Sequence, residues 1–150
     1  LSYRLCGYCD ASLSAYAAVI YLFIETEEGC HMKFVVARTR VAPLKKQTIP
    51  RLELLSAVLL ARLMDTTRTS LIPELNISRC HCYTDSQVVH SWIRNTGRSW
   101  KPFVQNRVSE IRKLFPVDCW KHIQGDKNPA NIPLELLLSK LWRDFPEILF

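Results

Sequence analysis

The hydrophobic period of this chain changes at about residue 48, and this change restricts the fold more than any other feature. Before it, three β-rich runs at residues 4–12, 15–24 and 32–41 follow one another through short polar links. Consecutive strand-like runs with short links predict an antiparallel meander. After it, apolar residues recur at the spacing of a helix. They are Leu52, Leu55, Leu59 and Leu63.

The second half of the chain alternates helices and strands. Thr48 is placed to cap the leucine helix, whose first turn tolerates Pro50, and we expect that helix to end at about Met64. The later elements are a strand at 79–84, a helix opened by Asp85 and Ser86, a helix at 100–114, a strand at 118–123 and a leucine-rich helical segment at 134–142. The order βββαβααβα predicts an α/β fold with a mixed sheet covered by helices.

Length and composition predict one domain over residues 1–150. The chain is 48% hydrophobic, enough for one closed core, and it has no uninterrupted run of 18 apolar residues, so a membrane span is excluded. Its six cysteines follow no secretory signal, which favours reduced thiols and an intracellular protein, in the cytoplasm or nucleus. Cys6 and Cys9 have the spacing of a zinc half-site, but alternate strand residues point apart.

The charge of the chain favours a polyanionic partner. The formal net charge is +6, and basic residues gather in two segments, residues 38–51 and 94–113. Such segments could line a track of phosphates. A solvated surface is an equally good interpretation of charge alone.

Three carboxylates lie in otherwise apolar elements. Asp10 ends the first strand, Glu53 lies in the leucine helix, and Asp85 ends the strand at 79–84. If those two strands are neighbours and the helix crosses them, the three side chains converge and repel one another unless a cation is present. Oxygen ligands favour Mg²⁺ or Mn²⁺, and paired ions of this kind support phosphodiester cleavage. Alternatively, Asp10 makes a local turn, Asp85 and Ser86 form a plain helix cap, and Glu53 pairs with a basic neighbour such as Arg51 or Lys46.

Several segments carry a resemblance to a known family. Residues 9–12 (CDAS) and 83–87 (YTDSQ) resemble the first and third carboxylate motifs of type 1 ribonucleases H. Residues 41–45 (VAPLK), 48–54 (TIPRLEL) and 100–108 (WKPFVQNRV) resemble the ribonuclease H region of BEL/Pao-type retrotransposon polyproteins.

The resemblance implies a ribonuclease H fold, with a five-stranded mixed sheet in the order 3-2-1-4-5 flanked by helices. It spans a core of about residues 4–131, followed by a divergent helical segment at 132–150. Family members follow a reverse transcriptase in one polyprotein and cut the RNA strand of RNA–DNA hybrids with two Mg²⁺ or Mn²⁺ ions. By position, Asp10, Glu53 and Asp85 match the first three metal-binding carboxylates.

The fourth carboxylate of the family does not match. The family has Asn-Pro-Ala-Asp, whereas this chain reads NPAN at residues 128–131, so Asn131 replaces the Asp in the catalytic set. An amide oxygen brings no negative charge, and we expect metal binding and the rate to fall. Glu135 or Asp126 could substitute, although Pro133 would disturb the helix that Glu135 needs. The alternative function is a catalytically impaired nucleic-acid-binding relic of the same fold.

The resemblance and the basic segments together predict the contacts to the hybrid. Backbone amides near residues 10–13, with Glu53 and Gln87, would sense the 2′-hydroxyl of RNA. The candidate nucleic-acid-binding residues are Ser12, Lys45, Arg51, Gln87, Trp100, Lys101, Asn106 and Arg107. Trp100 could instead fasten its helix to the core, and we assign Trp92 and Trp120 to the core. His122 is interpreted as structural.

An integrase or transposase core shares this fold and is a third interpretation. In that class the acidic residue on a helix comes last in chain order. Here Glu53 lies between Asp10 and Asp85, which favours the ribonuclease H pattern.

Overall fold

A five-stranded mixed sheet forms the framework, and its order β3-β2-β1-β4-β5 confirms the order predicted from the sequence. The computed structural model describes residues 1–136. The strands are β1 (Ser2–Ala11), β2 (Ala15–Thr26), β3 (Gly29–Val41), β4 (Ile77–Thr84) and β5 (Trp120–His122). Residues 131–136 are helical, and the rest of the predicted helix at 134–142 lies outside the described residues.

Strand β1 is central to the sheet. It pairs antiparallel with β2 and parallel with β4, while β3 and β5 form the two edges. The first three strands make the predicted meander, because the links at 12–14 and 27–28 are too short for a crossover. The parallel pair instead requires the long connection through the first helix.

Three helices follow the meander: α1 (Ile49–Leu71), α2 (Gln87–Arg94) and α3 (Pro102–Leu114). Helix α1 packs across β1 at a short distance that depends on Gly7. A Cβ atom at residue 7 would lie 2.5 Å from Cδ1 of Leu60 and 2.7 Å from Cε of Met64, and both of those side chains are fully buried. The absence of a side chain at residue 7 therefore allows helix and sheet to close on each other.

Helix α1 begins as predicted but is longer than predicted. The Thr48 side chain accepts a hydrogen bond from the Arg51 N–H, and Pro50 lies in the first turn. The helix continues to Leu71 rather than ending near Met64. Tertiary contacts explain the extension, because Thr67 is buried and Leu71 packs against the core. These contacts outweigh the weak helix propensity of a threonine-rich turn.

The remaining boundaries differ by small amounts. Strand β4 begins at Ile77, two residues early, and α3 begins at Pro102 with Lys101 as its cap. Strand β5 is shorter than predicted because Val117–Cys119 form a 3₁₀ turn before it. Each difference lies at an end of an element, where a pattern of apolar residues carries the least information.

The core lies between the sheet and the three helices. Trp120 is fully buried there, whereas Trp92 is partly buried and packs on the edge of the core. All six cysteines are free thiols. Within residues 1–136, no helix combines the length and apolar character that crossing a membrane requires.

Candidate functional site

Asp10 and Asp85 lie at the ends of neighbouring parallel strands. Cys9 on β1 and Thr84 on β4 are partners in the ladder, and each aspartate is the next residue. The Asp10 carboxylate accepts a hydrogen bond from the Ala11 N–H at 2.9 Å. The register therefore brings two acidic residues to one end of the sheet.

The turn between β4 and α2 directs the third carboxylate toward the same place. Ser86 is the cap of α2, and its hydroxyl accepts a hydrogen bond from the Val89 N–H at 3.1 Å. The cap is therefore Ser86 and not Asp85. The Ser86 side chain also lies close enough to Glu53, on the first turns of α1, to lower the pKa of its carboxyl. The start of α2 and the acidic residue of α1 are therefore neighbours.

The three carboxylates influence one another's protonation. Burial and the charge of Asp85 raise the pKa of Asp10 to about 6, with a smaller contribution from Glu53 and a partial offset by the Ala11 N–H. Burial and the charge of Asp85 also raise the pKa of Glu53, against the lowering effect of Ser86. These are the effects of like charges held near one another in a partly dry site.

Glu53 does not take the surface ion pair that its sequence neighbours allow. The guanidinium of Arg51 lies over the Phe103 ring, 4.6 Å from its centroid, and no ion pair to Glu53 occurs within residues 1–136. The Glu53 carboxylate thus belongs with those of Asp10 and Asp85, and these three residues are called the acidic group below.

The acidic group fits a divalent cation by its donor chemistry. Carboxylate oxygens are the ligands that Mg²⁺ and Mn²⁺ prefer, and a cation would offset both the burial and the charge of Asp85 that raise the pKa of Asp10. In the described part of the chain, no three or more His, Cys, Asp or Glu side chains are already arranged around one ion position. Asp10, Glu53 and Asp85 are thus the residues that could hold a metal if their side chains moved closer together.

A loop after β5 completes the surroundings of the strand ends. The side chain of Asn128 is buried; its Nδ2 donates to the carbonyl of Cys9 at 2.8 Å, and its Oδ1 accepts from the Ala130 N–H at 3.0 Å. Gly125 lies against the Asp85 carboxylate, since a Cβ at residue 125 would be 3.5 Å from Oδ2. Sequence reasoning identified Asn128 only as part of a motif.

The substituted position, Asn131, follows that loop directly. It is half-buried at the start of the helical residues 131–136. Its N–H donates to the Asn128 carbonyl at 3.4 Å, and Leu134 packs on the end of β2 near Asp10. The two proposed substitutes, Asp126 and Glu135, have exposed side chains.

A basic groove adjoins the end of β1, because Tyr16 in its lining pairs with Ala11, the residue after Asp10. A cavity of about 680 Å³ lies between strands β2 and β3 and the helices α1 and α3. Its polar lining is Tyr16, Arg38, Arg40, Arg62, Thr66, Asn106, Arg107 and Glu110. The one carboxylate in this lining is bound by Arg62, with Nη2 to Oε1 at 2.8 Å. Three arginines of the groove therefore carry positive charge that no carboxylate in the lining neutralises.

Two of the predicted contact residues, Asn106 and Arg107, line this groove. Arg38 and Arg40 join them from β3 although sequence reasoning did not select them for the site. Both had been noted in the first basic segment, and only the tertiary structure places that segment opposite α3. The guanidinium of Arg107 lies 3.7 Å from the centroid of the Phe103 ring, which fixes its position.

The other predicted contact residues fall into two groups. Lys45, Gln87 and Lys101 are exposed and available to a ligand. The Ser12 hydroxyl is instead occupied in the turn between β1 and β2, where it donates to the Ala15 carbonyl at 3.3 Å and accepts from the N–H groups of that turn.

Trp100 packs against the protein more than against solvent. It is half-buried, its ring lies 6.4 Å from that of Trp92, and the guanidinium of Arg98 lies 5.2 Å from its centroid. Its backbone N–H donates to the Gln105 side chain at 3.0 Å, ahead of α3. These contacts favour the alternative in which Trp100 fastens α3 to the core.

Comparison with known proteins gives a family and a set of structural relatives. The family model described as "Pao retrotransposon-like RNaseH-like domain" matches residues 1–86. No curated protein matches the sequence.

The structural relatives include three ribonucleases H. The N-terminal RNase H domain of a Mycobacterium tuberculosis protein, fused to maltose-binding protein, aligns with a TM-score of 0.61 at 12% identity, over 93% of this chain and 99% of that one. LC11-RNase H1 in complex with an RNA/DNA hybrid aligns with a TM-score of 0.56 at 13% identity, over 87% of this chain and 92% of that one. RNase H1 from the archaeon Halobacterium salinarum aligns with a TM-score of 0.53 at 12% identity, over 90% of this chain and 98% of that one.

Proposed function

Because this chain belongs to the Pao retrotransposon-like RNaseH-like domain family, we propose that it is a metal-dependent endonuclease that cleaves the RNA strand of RNA–DNA hybrids. Its fold is that of the ribonucleases H. One of the solved relatives is bound to an RNA/DNA hybrid, which is the substrate class that we propose for this chain.

The observation that carries the proposal is the meeting of three carboxylates from separate elements in a partly buried place. Asp10 lies near the end of β1, Glu53 lies on α1 and Asp85 follows β4, and burial and the charge of Asp85 raise the pKa of Asp10 to about 6. Holding like charges together lowers the stability of a fold, so such an arrangement indicates a function. Carboxylates with perturbed pKa values beside a groove are typical of active sites.

In the proposed reaction the acidic residues bind the cation, and the groove holds the substrate. Asp10, Glu53 and Asp85 would hold Mg²⁺ or Mn²⁺, as two ions. When bound, such ions activate water and stabilise the leaving oxygen in phosphodiester hydrolysis. The Ala11 N–H donates to the Asp10 carboxylate and keeps it oriented.

The basic groove would bind the DNA strand of the hybrid. Arg38, Arg40 and Arg107 supply the positive charge and Asn106 a neutral donor, a combination suited to phosphate oxygens. Gln87 is exposed at the start of α2, next to the acidic group, and there it could contact a 2′-hydroxyl of the RNA.

A second candidate function rests on Asn131. With an amide in place of the fourth carboxylate, the chain would bind hybrids through the groove but cleave them slowly. The groove does not depend on residue 131, so hybrid binding would survive a weak metal site. Asp126 and Glu135 are exposed and could supply the missing charge only if they turned toward the site.

The proposed partner is a reverse transcriptase domain of the same polyprotein, acting within the cell. The retrotransposon family supports this arrangement, since the RNA strand must be removed after first-strand synthesis. Free thiols at all six cysteines are compatible with a reducing compartment.

The direct test compares the wild type with Asn131→Asp on a labelled RNA–DNA hybrid, in Mg²⁺ and in Mn²⁺. We expect Asn131→Asp to raise the cleavage rate by about tenfold or more, as for the restoration of a charge that organises a metal. Equal rates would show that residue 131 does not limit the reaction.

Asp10→Asn is the control that separates the two candidate functions. Cleavage by wild type that disappears in Asp10→Asn, with hybrid binding retained, supports the nuclease. Hybrid binding without Asp10-dependent cleavage in either wild type or Asn131→Asp supports the binding module.

A further inference from the structure

His122 forms a hydrogen bond that reaches the backbone of the acidic group. Its Nε2 lies 3.1 Å from the carbonyl oxygen of Asp85. A carbonyl can only accept, so Nε2 carries the hydrogen and donates. Sequence reasoning interpreted His122 as structural, and this contact gives it a more specific role.

The position of His122 makes a purely structural role a poor explanation. Its side chain is exposed, whereas Trp120, at the start of the same strand, is fully buried. The edge strand is already held to β4 at this point, because the Ile123 N–H donates to the Thr84 carbonyl at 3.0 Å. The ring therefore adds little to the pairing of the strands, and its ring neighbour is the part-buried His90 of α2, with 6.2 Å between centroids.

The hydrogen bond from His122 acts at a residue whose side chain is repelled by neighbouring carboxylates. Asp85 lies just beyond β4 and before the cap of α2, so it has no place in a regular ladder. Its carboxylate repels those of Asp10 and Glu53, and a residue between two elements can relax such repulsion by turning away. A side-chain bond to its carbonyl opposes that movement.

The same segment also lies near the carboxylate itself. A Cβ atom at Gly125, three residues after His122, would be 3.5 Å from Oδ2 of Asp85. His122 thus holds the backbone of Asp85, and the turn that follows it lies beside the Asp85 side chain.

We propose that His122 is a positioning residue that holds Asp85 in the orientation needed to bind a divalent cation. It acts through the Asp85 carbonyl and touches neither substrate nor metal. This inference rests on the proposed function of the acidic group.

The test uses two substitutions that differ in one property. His122→Phe keeps a ring but removes the donor, and His122→Gln places an amide N–H within reach of the same carbonyl. His31→Phe is the control, because His31 is exposed on the edge strand β3, away from the acidic group. The whole chain is used for each variant, and also with Asn131→Asp to strengthen the metal site.

The readouts are Mn²⁺ binding by electron paramagnetic resonance, thermal unfolding without metal, and hybrid cleavage. We expect His122→Phe to weaken Mn²⁺ binding about tenfold and to lower kcat with little change in KM, as for the loss of a group that orients a ligand. His122→Gln should return both quantities to within about twofold of wild type, and all variants should unfold at similar temperatures.

Each outcome decides the inference. Mn²⁺ binding that is unchanged in His122→Phe, or equally weak in His122→Phe and His122→Gln, overturns it while leaving the nuclease proposal standing. Absence of Asp10-dependent Mn²⁺ binding, even with Asn131→Asp, overturns both. Asp10-dependent Mn²⁺ binding with the expected His122 pattern but no cleavage supports the positioning role and removes only the enzymatic function.

Discussion

The buried amide of Asn128 donates a hydrogen bond to the carbonyl oxygen of Cys9, 119 residues earlier in the chain, at 2.8 Å. This bond ties the segment that leads to Asn131 to the strand that ends in Asp10. The same side chain accepts from the Ala130 N–H at 3.0 Å, so both ends of its amide are used.

Replacing Asn128 by Ala should destabilise the fold. The substitution leaves the Cys9 carbonyl and the Ala130 N–H without their partner in a buried place, which typically costs about 1–3 kcal/mol. Denaturant unfolding of Asn128→Ala measures this cost. Asn76→Ala, at an exposed loop position, is the control, and an equal effect of both changes would contradict the role given to Asn128.

The metal-free protein should lose stability as the pH rises through the titration of Asp10. Burial and the charge of Asp85 raise the pKa of Asp10 from 3.8 to about 6. Between these values the folded state keeps a proton that the unfolded chain releases, so the free energy of unfolding falls with increasing pH. Glu53 contributes in the same direction, because its pKa is also raised.

Asp10→Asn removes the titrating group and should flatten this dependence. The measurement is denaturant unfolding with a chelator between about pH 4 and pH 7, in wild type and variant. Above about pH 6 the variant should be the more stable of the two, since it lacks the repulsion. A steeper loss of stability in Asp10→Asn than in wild type would refute the electrostatic account.

Arginines of the basic groove should determine how strongly hybrid binding depends on salt. Arg40→Gln or Arg38→Gln should weaken binding and reduce the slope of log affinity against log salt by about one for each phosphate that the variant no longer binds. Arg79→Gln is the matched control, because Arg79 is an exposed arginine on β4 outside the groove. Equal effects of all three changes would mean that only the net charge matters.

Gly7→Ala should destabilise the packing of α1 on β1. The new methyl group would meet the fully buried ends of Leu60 and Met64 at 2.5 and 2.7 Å. Forcing an extra carbon into a packed core costs about 1–3 kcal/mol. Thermal unfolding measures this cost, and Gly97→Ala, where no atom lies within 4 Å, should have little effect.

The strand order and the meeting of Asp10 with Asp85 could be predicted because they follow from local patterns and from the family resemblance. Strand periodicity placed both aspartates at strand ends, and parallel pairing then brings such ends together. The extension of α1 to Leu71 could not be predicted in this way. The residues beyond Met64 are mostly polar, and the contacts of Thr67 and Leu71 exist only in the folded chain.

The groove and the hydrogen bond of His122 show a similar limit. Arg38 and Arg40 were visible as basic residues, but only the packing of α1 and α3 beside β3 gives them a common cavity with Asn106. Ser12 was selected for its place close to Asp10, and its hydroxyl is used within the turn. A residue's position near a site in the sequence does not show which groups its side chain hydrogen-bonds.

The parallel pairing of β1 with β4 has a consequence for protein synthesis. The partner strand of β1 begins at Ile77, so a nascent chain that has emerged only as far as Leu71 has the meander and α1 but lacks Asp85. Long-range pairing of this kind forms late, because its loop must close first. A translation product that stops before β4 would therefore lack one of the three carboxylates proposed to bind the metal, however well its first three strands have folded.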